Sequence, residues 1–512
     1  PQTTIEFYNT AFQKDSLKDY TGALDDYTKA IELDTSMAEA YNNRAIVKTQ
    51  LKDYQAAIED YNKTIQLKPD ISSVYFNRGL IKFKLNDYNG AIEDYNQTIK
   101  LNPQDAEAFY NRGLAMDMIK NYNAAIDDYT QAIDIKPDYD LAYYKRANLK
   151  SMLKDFDGAV KDYDKVIKIN PEFGEAYYNR GTAKTSLKDY INAMQDYDKA
   201  IELKYDTTAS LLKRGSLKSQ LDDSKGALAD FDKAIDSQPL TTADAYNSRG
   251  IIKYEAKLYK EALEDFIKAV ELKPDFAMAY NNRGITKFKL QDYTGAVQDF
   301  NEAIKLMPYA GIAFYNRGVA RTDMDDFEGA IKDYTKAITY NPFDSEAYNN
   351  RGINKARIGS YKGALDDVNK AIELDPKNKF AYYNRAIIQM DMKDYSKTVA
   401  DLDKLLAIEP ADTEAYYNRG LANYLNANYN DALNDMNRAI DLNPNDAQVY
   451  FDRGNVQIAL ANFTEALQDF NKAIALKPNV TMAHFRRGYV HAVLQNYEDA
   501  ILDFNIAIGL QP

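Results

Sequence analysis

The chain has 512 residues, a formal net charge of −13 at neutral pH and no cysteine. An acidic chain has no basic field to attract the phosphates of nucleic acid, and the lack of cysteine excludes disulfides and thiol chemistry. No run of about 18 apolar residues occurs, so a membrane-spanning helix is not expected.

An arginine recurs along the chain every 34 residues, with a single step of 35. A fixed period of this size indicates tandem copies of one supersecondary unit, each packed on its neighbours. When the arginine is placed at position 7, repeat 1 covers residues 4–37, repeat 2 covers 38–71 and repeat 15 covers 481–512. The arginines are Arg44, Arg78, Arg112, Arg146, Arg180, Arg214, Arg249, Arg283, Arg317, Arg351, Arg385, Arg419, Arg453 and Arg487.

Each repeat is predicted to form two helices. In repeat 2, residues on one helical face recur at the i, i+3, i+4, i+7 spacing, which predicts helices near residues 39–51 and 55–67. The second helix should stop before Pro69, because proline lacks a backbone N–H and disfavours helical geometry in the preceding residue. Position 8 is always Gly or Ala, as in Gly79, and position 24 is mostly Tyr or Phe, as in Tyr95. This pairing of small and large residues predicts close packing of the two helices.

The order of aromatic, small and proline positions resembles the tetratricopeptide repeat, and the resemblance covers residues 4–512. It implies an all-α fold in which antiparallel pairs, helix A and then helix B, stack into a right-handed superhelical solenoid with helix A on the concave side. Three segments are predicted: residues 4–207 hold repeats 1–6, residues 208–242 hold an irregular repeat 7 with a one-residue insertion, and residues 243–512 hold repeats 8–15. Repeat 7 should loosen or bend the stack.

Position 23 is aspartate in every repeat, and only repeat 1, which has no predecessor, carries Thr10 in place of the arginine. We therefore favour ion pairs between the aspartate of one repeat and the arginine of the next. Two alternatives stay open: a pair within a single repeat, or an arginine that is simply a polar residue of helix A. The favoured hypothesis predicts the pairs Asp26 with Arg44, Asp333 with Arg351, and Asp469 with Arg487, together with their equivalents along the chain.

The family resemblance places positions 2, 5, 6, 9, 12 and 13 on the concave face. Side-chain amides donate and accept hydrogen bonds, so a ladder of asparagines at position 6 could hold the backbone of an extended peptide. Equally, the asparagines could support the fold and the rings at position 5 could pack between helices. The candidate peptide-binding asparagines are Asn9, Asn43, Asn77, Asn111, Asn179, Asn282, Asn316, Asn350, Asn384 and Asn418. The candidate tyrosines are Tyr110, Tyr144, Tyr178, Tyr315, Tyr383 and Tyr417.

The last predicted helix is unusually apolar. Leu502 and Ile506 occupy positions that are mostly polar in other repeats, and Leu510 continues the stripe. Because the ends of a solenoid are normally polar, this surface predicts either further residues after 512 or a partner, with a second copy as one possibility.

No catalytic or metal-binding motif is present, and the chain has only two histidines. We expect no enzyme activity, no cofactor and no metal site. The favoured function is a scaffold or adaptor that binds an extended or helical protein segment in the concave groove, with no nucleic-acid partner and no insertion into a membrane. The alternatives are a substrate-recruiting arm of a larger enzyme and a structural subunit of an envelope or secretion assembly.

The sequence begins with proline rather than methionine, so we expect that a preceding segment was removed. The composition suggests a bacterial protein of the cytoplasm, or of the periplasm if that segment was a signal peptide.

Overall fold

The computed structural model describes residues 3–238 and 242–510, and within these ranges it contains 30 α-helices and no strand. The chain divides into two compact units, residues 1–248 and 249–512, which are called the N-terminal body and the C-terminal body. Each repeat contributes helix A and helix B. None of the described helices is both long and apolar enough to cross a membrane.

Helix A of successive repeats is α1 (Thr4–Ser16), α3 (Ala38–Gln50), α5 (Ser72–Lys84), α7 (Ala106–Met118), α9 (Asp140–Met152), α11 (Gly174–Ser186), α13 (Thr207–Gln220), α15 (Ala243–Glu255), α17 (Ala277–Lys289), α19 (Gly311–Asp323), α21 (Ser345–Arg357), α23 (Lys379–Asp391), α25 (Thr413–Leu425), α27 (Ala447–Ala459) and α29 (Thr481–Val493). Helix B is α2 (Tyr20–Leu33), α4 (Tyr54–Leu67), α6 (Tyr88–Leu101), α8 (Tyr122–Ile135), α10 (Phe156–Ile169), α12 (Tyr190–Glu202), α14 (Ser224–Ser237), α16 (Tyr259–Leu272), α18 (Tyr293–Leu306), α20 (Phe327–Tyr340), α22 (Tyr361–Leu374), α24 (Tyr395–Ile408), α26 (Tyr429–Leu442), α28 (Phe463–Leu476) and α30 (Tyr497–Leu510).

These bounds confirm the predicted all-α fold of antiparallel helix pairs. The helices predicted at 39–51 and 55–67 are α3 and α4, and each bound lies within one residue of its prediction. The bodies divide between residues 248 and 249, and the predicted segment boundaries at 207 and 242 stay predictions.

The turn between helix A and helix B uses a left-handed residue. In repeat 2, Lys52 has a φ of 64° and its N–H donates to the Thr49 carbonyl, while the Asp53 N–H donates to the Lys48 carbonyl at 2.9 Å. This is a Schellman motif, which usually carries glycine at the left-handed position. Asp53 then caps helix B by accepting from the Ala56 N–H. At this position glycine occurs only in repeat 11, as Gly359 with a φ of 81°.

The core of each repeat forms where the small residue at position 8 meets the ring at position 24. A Cβ atom added to Gly79 would lie 2.8 Å from Cε1 of Tyr95, so the ring leaves no room for a side chain there. Helix B also packs on helix A of the next repeat. In one cluster, Ala57 and Tyr61 of repeat 2 contact Val74 and Ile81 of repeat 3. Each repeat therefore has its own core and shares a second core with its neighbour.

Repeat 7 keeps the regular helix pair, α13 and α14, despite the sequence irregularities. Its one-residue insertion falls among residues 239–242, of which 239–241 lie outside the described residues. At the preceding junction Tyr205 replaces the usual proline, and its ring packs 5.9 Å from that of Tyr178. Lys204 and Asp206, on either side of Tyr205, both have positive φ values.

We predict that Lys52→Gly stabilises the protein. A left-handed conformation costs a residue with a side chain roughly 1–2 kcal/mol, part of which is offset by the larger entropy of glycine in the unfolded chain, so the net gain should be about 0.5–1 kcal/mol. Thermal unfolding followed by circular dichroism measures this change. Gly359→Lys is the matched reverse substitution and should lower the unfolding temperature; an unchanged temperature for both variants would contradict the explanation.

Candidate functional site

The arginine at position 7 pairs with the aspartate of its own repeat. Nε of Arg44 donates to Oδ2 of Asp60 at 2.8 Å, and Nη2 donates to Oδ1 at 2.7 Å. The same two-point pair joins residues 16 apart in every repeat that carries the arginine, from Arg44 to Arg487 with Asp503. Positions 7 and 23 face each other across the interface between helix A and helix B, and this geometry selects the pair within one repeat.

The favoured pairs between neighbouring repeats are therefore wrong. Asp26, which was expected to bind Arg44, instead accepts from Lys14 at 2.6 Å. Asp333 pairs with Arg317 and Arg351 pairs with Asp367. Asp469 pairs with Arg453, and Arg487 pairs with Asp503.

The arginine does connect neighbouring repeats, but through a different residue. Nη1 of Arg44 donates to the Thr28 hydroxyl at 3.2 Å, and Nη1 of Arg112 donates to Oδ1 of Asn96 at 2.6 Å. Both acceptors lie at position 25 of the preceding repeat. This position is Thr, Asn or Asp in every repeat except repeat 8, which has Ile267. The column of short polar residues was the sequence signal that could have identified the contact.

A second cation at position 11 completes the site of the buried aspartate in most repeats. Burial acts to raise the pKa of Asp230, but hydrogen bonds from Arg214 and Lys218 bring it below its usual value. Repeat 4 has Met116 at position 11, and burial then raises the pKa of Asp128 although Arg112 opposes the shift. The pKa values of Asp230, which has two cations, and of Asp128, which has one, thus shift in opposite directions.

The asparagines at position 6 mainly contact the preceding repeat. Asn350 donates to the Tyr315 hydroxyl at 3.1 Å, and Asn384 donates to Oδ1 of Asn349 at 3.0 Å. Corresponding bonds join Asn43 to Tyr8, Asn179 to Tyr144, Asn418 to Tyr383, and Asn316 to Asn281. Asn77 lies near the Tyr61 hydroxyl, Asn111 donates to the Glu107 carbonyl, Asn9 is exposed, and Asn282 lines a small pocket with Ile251. These contacts support the alternative in which the asparagines stabilise the fold.

The candidate tyrosines at position 5 pack partly into the core. Tyr110, Tyr144, Tyr178 and Tyr315 each lie 5.8–6.1 Å, centroid to centroid, from the ring at position 24 of their own repeat. Tyr383 and Tyr417 pack instead on clusters that contain Leu402 and Met436. The structure thus places these rings between helices, with only part of each side chain on the surface.

Three candidate residues, Tyr315, Asn350 and Asn384, line one cleft formed by helix A of repeats 10–12 and the loop before α23. The cleft has a volume of about 530 Å³. Its other lining residues are Ser345, Glu346, Asn349, Ile353, Asp375, Lys377, Asn378, Lys379 and Phe380. The described residues contain no cluster of three or more His, Asp or Glu side chains that could hold a metal ion.

In the last repeat, two of the three residues of the predicted apolar stripe are exposed. The exposed fraction is 59% for Leu502 and 38% for Leu510, whereas Ile506 is partly buried.

We predict that Arg351 and Asp367 are energetically coupled. Asp367→Ala should destabilise the protein by about 3–5 kcal/mol, because it leaves the charges of Arg351 and Lys355 without their carboxylate. Arg351→Ala should cost less, because Lys355 still pairs with Asp367, and the double-mutant cycle should give a coupling of about 1–3 kcal/mol. Urea unfolding measures each variant. The control cycle combines Arg351→Ala with Asp333→Ala, which share no hydrogen bond, and should be additive within about 0.5 kcal/mol. Coupling between Arg351 and Asp333, together with additivity between Arg351 and Asp367, would instead support pairing between repeats.

We also predict that Met116→Lys stabilises repeat 4 near neutral pH by about 1 kcal/mol, through a hydrogen bond to the charged Asp128. The raised pKa of Asp128 means that the folded state binds this proton more tightly than the unfolded state, so stability falls as pH rises through that pKa. The new lysine should reverse this trend, and its benefit should vanish in acid, where Asp128 is protonated.

Unfolding experiments at pH 7 and at pH 3 distinguish stabilisation by charge from stabilisation by packing. The control is Lys82→Met in repeat 3, which removes the 2.9 Å contact from Lys82 to Asp94 and should destabilise the protein at pH 7. A gain from Met116→Lys that persists at pH 3 would mean that packing, rather than charge, is responsible.

Comparison with known proteins identifies the repeat. Family models described as tetratricopeptide repeat match residues 38–71, 106–139, 141–173, 174–207, 243–276, 277–308, 311–344, 413–446 and 447–512, and a model described as TPR repeat matches residues 79–117. Together these matches cover more than half of the chain. The search of curated proteins gave no match.

Solved structures with similarity to the chain include MamA, at 30% identity over 32% of this chain and 95% of MamA, with a TM-score of 0.30. Yeast Tom70 has 20% identity over 83% of this chain and 96% of its own, with a TM-score of 0.33. A tetratricopeptide repeat protein from Parabacteroides merdae has 20% identity over 48% of this chain and 98% of its own, with a TM-score of 0.38. The family assignment itself rests on the repeat matches and the helix pairs: the chain belongs to the tetratricopeptide repeat family and has the fold of a protein-interaction scaffold.

Proposed function

We propose that this protein is a non-enzymatic adaptor that binds an extended or helical segment of another protein on helix A of repeats 10–12. The observation that carries the proposal is the 530 Å³ cleft, which combines amide groups, charged groups and an exposed aromatic ring. Ligand-binding sites typically pair apolar contact area with a few oriented polar groups.

A chain of hydrogen bonds orients the polar groups of the cleft. Asn384 donates to Asn349, Asn349 donates to Asn350 at 3.2 Å, Asn350 donates to Tyr315, and the Tyr315 hydroxyl donates to Oε2 of Glu346 at 3.1 Å. Within the described residues, Oδ1 of Asn384 and Oε1 of Glu346 have no partner, so each can accept from a backbone N–H of a bound segment. This chain of hydrogen bonds therefore has an acceptor oxygen available at each of its two ends.

In this chain of hydrogen bonds, Tyr315 acts as a hydrogen-bond donor rather than as a reactive group. Burial and the neighbouring Glu346 carboxylate raise the pKa of Tyr315, so its hydroxyl stays protonated at neutral pH. Because Tyr315 uses its hydroxyl for contacts with Asn350 and Glu346, its role is to position those residues.

Apolar side chains beside these hydrogen-bonded residues offer contact area to a bound segment. The Phe380 side chain is 65% exposed at the cleft, and Lys379 lies 5.2 Å from its ring centroid. On repeats 8 and 9 of the same body, a second pocket of about 150 Å³ is lined by Ile251, Tyr254 and Ile285, among others. Aromatic and aliphatic anchors next to amides suit a protein segment, whose side chains are apolar at intervals and whose backbone needs hydrogen bonds.

Photo-crosslinking in cells tests this function. A photoreactive phenylalanine analogue at Phe380 should crosslink a discrete partner, whose attached peptide mass spectrometry can identify. The same analogue at Lys404, which is exposed on helix B of repeat 12, is the control and should not capture that partner. Equal capture at both positions, or capture at Lys404 alone, would contradict binding on helix A.

Once the partner segment is identified, we predict that Phe380→Ala and Asn384→Ala each weaken its binding about tenfold, corresponding to about 1.4 kcal/mol. Isothermal titration calorimetry measures the dissociation constant. Leu17→Ala is the matched control, since this side chain is 81% exposed in the N-terminal body, and it should leave the affinity unchanged. Unchanged affinity for both cleft variants would show that the segment binds elsewhere.

A further inference from the structure

Most repeats carry a lysine or arginine at position 11, whose charged group contacts the buried aspartate of the same repeat. In repeat 11, Nζ of Lys355 lies 2.8 Å from Oδ2 of Asp367 and donates to the Gly363 carbonyl at 3.4 Å. We call the point beside these two oxygens the ammonium position. The contact with the aspartate occurs in ten repeats, from Lys14 in repeat 1 to Lys355. The chain itself thus shows which chemical group fits this position.

Repeat 12 carries Gln389 instead of a cation at position 11. Its aspartate, Asp401, keeps the two-point pair with Arg385, whose Nε donates to Oδ2 at 2.8 Å, but within the described residues no second cation contacts it. The Gln389 side chain is 7% exposed, and in the same part of the chain its Oε1 has no hydrogen-bond partner. A buried acceptor without a donor is destabilising, so a bound donor would stabilise this repeat.

A cavity of about 390 Å³ lies beside Gln389. Three of its lining residues, Gln389, Lys397 and Asp401, occupy positions 11, 19 and 23. In repeat 11 these are the positions of Lys355 and of the two residues that it contacts. The other lining residues are Leu365, Asn369, Arg385 and Ala400. The cavity therefore adjoins the ammonium position of repeat 12.

The two basic side chains of the cavity wall are engaged elsewhere. The Lys397 ammonium donates to Oδ2 of Asp394 at 2.6 Å, and this side chain is 70% exposed. Arg385 uses Nη1 for Oδ1 of Asn369 at 2.6 Å and its other two nitrogens for Asp401. The ammonium position of repeat 12 thus combines the Asp401 carboxylate and the Lys397 carbonyl with no lysine of its own.

Repeats 13 and 14 also have an amide at position 11, but in each of them the amide has a partner in its own repeat. Asn423 donates to Oδ2 of Asp435 at 3.1 Å, and Oε1 of Gln457 accepts from Asn462 at 2.9 Å. The residue of repeat 12 equivalent to Asn462 is Asp394, whose ionised carboxylate cannot donate to an amide oxygen. This difference explains why Gln389 needs a donor from outside the repeat.

We propose that the cavity of repeat 12 binds a primary alkylammonium group at the position that a lysine ammonium occupies in other repeats. Such a group has three N–H donors and no acceptor, which suits a site of acceptor oxygens. Oδ2 of Asp401 and the Lys397 carbonyl supply the two contacts that Lys355 makes in repeat 11, and the Gln389 amide offers a third acceptor. Leu365 and Ala400 provide apolar contact for the alkyl chain.

The bound group belongs either to a free amine or to a lysine side chain of another protein, since both have the same chemistry. The site goes beyond the function proposed above, because its cavity shares no lining residue with the cleft of repeats 10–12.

Ligand-observed NMR tests the site, with butylammonium chloride as the probe at constant ionic strength. The full chain should give saturable magnetisation transfer to the probe. Gln389→Lys should lower the affinity at least tenfold, because the new side chain occupies the ammonium position, and it should fold because lysine is the usual residue there. Gln457→Lys, the same substitution in repeat 14, is the control and should leave the affinity unchanged. No saturable transfer with the wild type, or equal affinity in all three proteins, would overturn the proposal.

Two further probes identify what the site recognises. Butyltrimethylammonium has the same charge and chain but no N–H group, so it should bind at least tenfold more weakly than butylammonium; equal affinity would contradict recognition by hydrogen bonds. Nα-acetyl-lysine methylamide distinguishes the two sources of the group. An affinity similar to that of butylammonium assigns the site to a lysine side chain of another protein, whereas binding at least tenfold weaker assigns it to a free amine.

Discussion

A buried carboxylate at position 23 of each repeat determines how the helices of this protein fit together. Removing a carboxylate from water costs several kcal/mol unless hydrogen bonds and an opposite charge compensate it. The arginine at position 7 supplies both through two parallel N–H groups, a geometry that holds helix A and helix B in one relative orientation. Its remaining nitrogen reaches position 25 of the preceding repeat, and its planar group lies near the ring at position 4, 5.5 Å from the centroid in the case of Arg44 and Tyr41. One side chain thus contacts three helices.

Beside this arginine, the surface of helix A carries neutral polar groups at positions 5 and 6. Tyrosine and asparagine at positions 5 and 6 hydrogen bond from one repeat to the next, as Tyr315 and Asn350 do. These bonds consume the amide N–H groups and leave some carbonyl oxygens open, so the same residues can stabilise the stack and present acceptors. The structural and the binding interpretations of the asparagines are therefore compatible in repeats 10–12.

The first and last repeats treat their outer surfaces differently. Repeat 1 replaces apolar contact residues with Glu6 and Gln13, and its Asp26 pairs with Lys14 and lies 3.6 Å from Nζ of Lys29. Repeat 15 retains the full apolar set, including Ile501 and Ile508, and adds Leu502. A polar outer surface disfavours the packing of another helix, whereas an apolar outer surface favours it.

The helix pairs, their bounds and the small-to-aromatic core could all be predicted from the sequence, because a strict period of 34 residues shows which positions are constrained in every repeat. The same regularity does not show which aspartate each arginine contacts. Arg44 is 16 residues from Asp60 and 18 from Asp26, and both aspartates occupy position 23, which is aspartate in every repeat. Only the tertiary structure, in which positions 7 and 23 face each other within one helical hairpin, decided between them. The contacts of Thr28 with Arg44 and of Tyr315 with Asn350 likewise depend on how adjacent repeats pack, since each joins residues that are distant in sequence and paired solely by the fold.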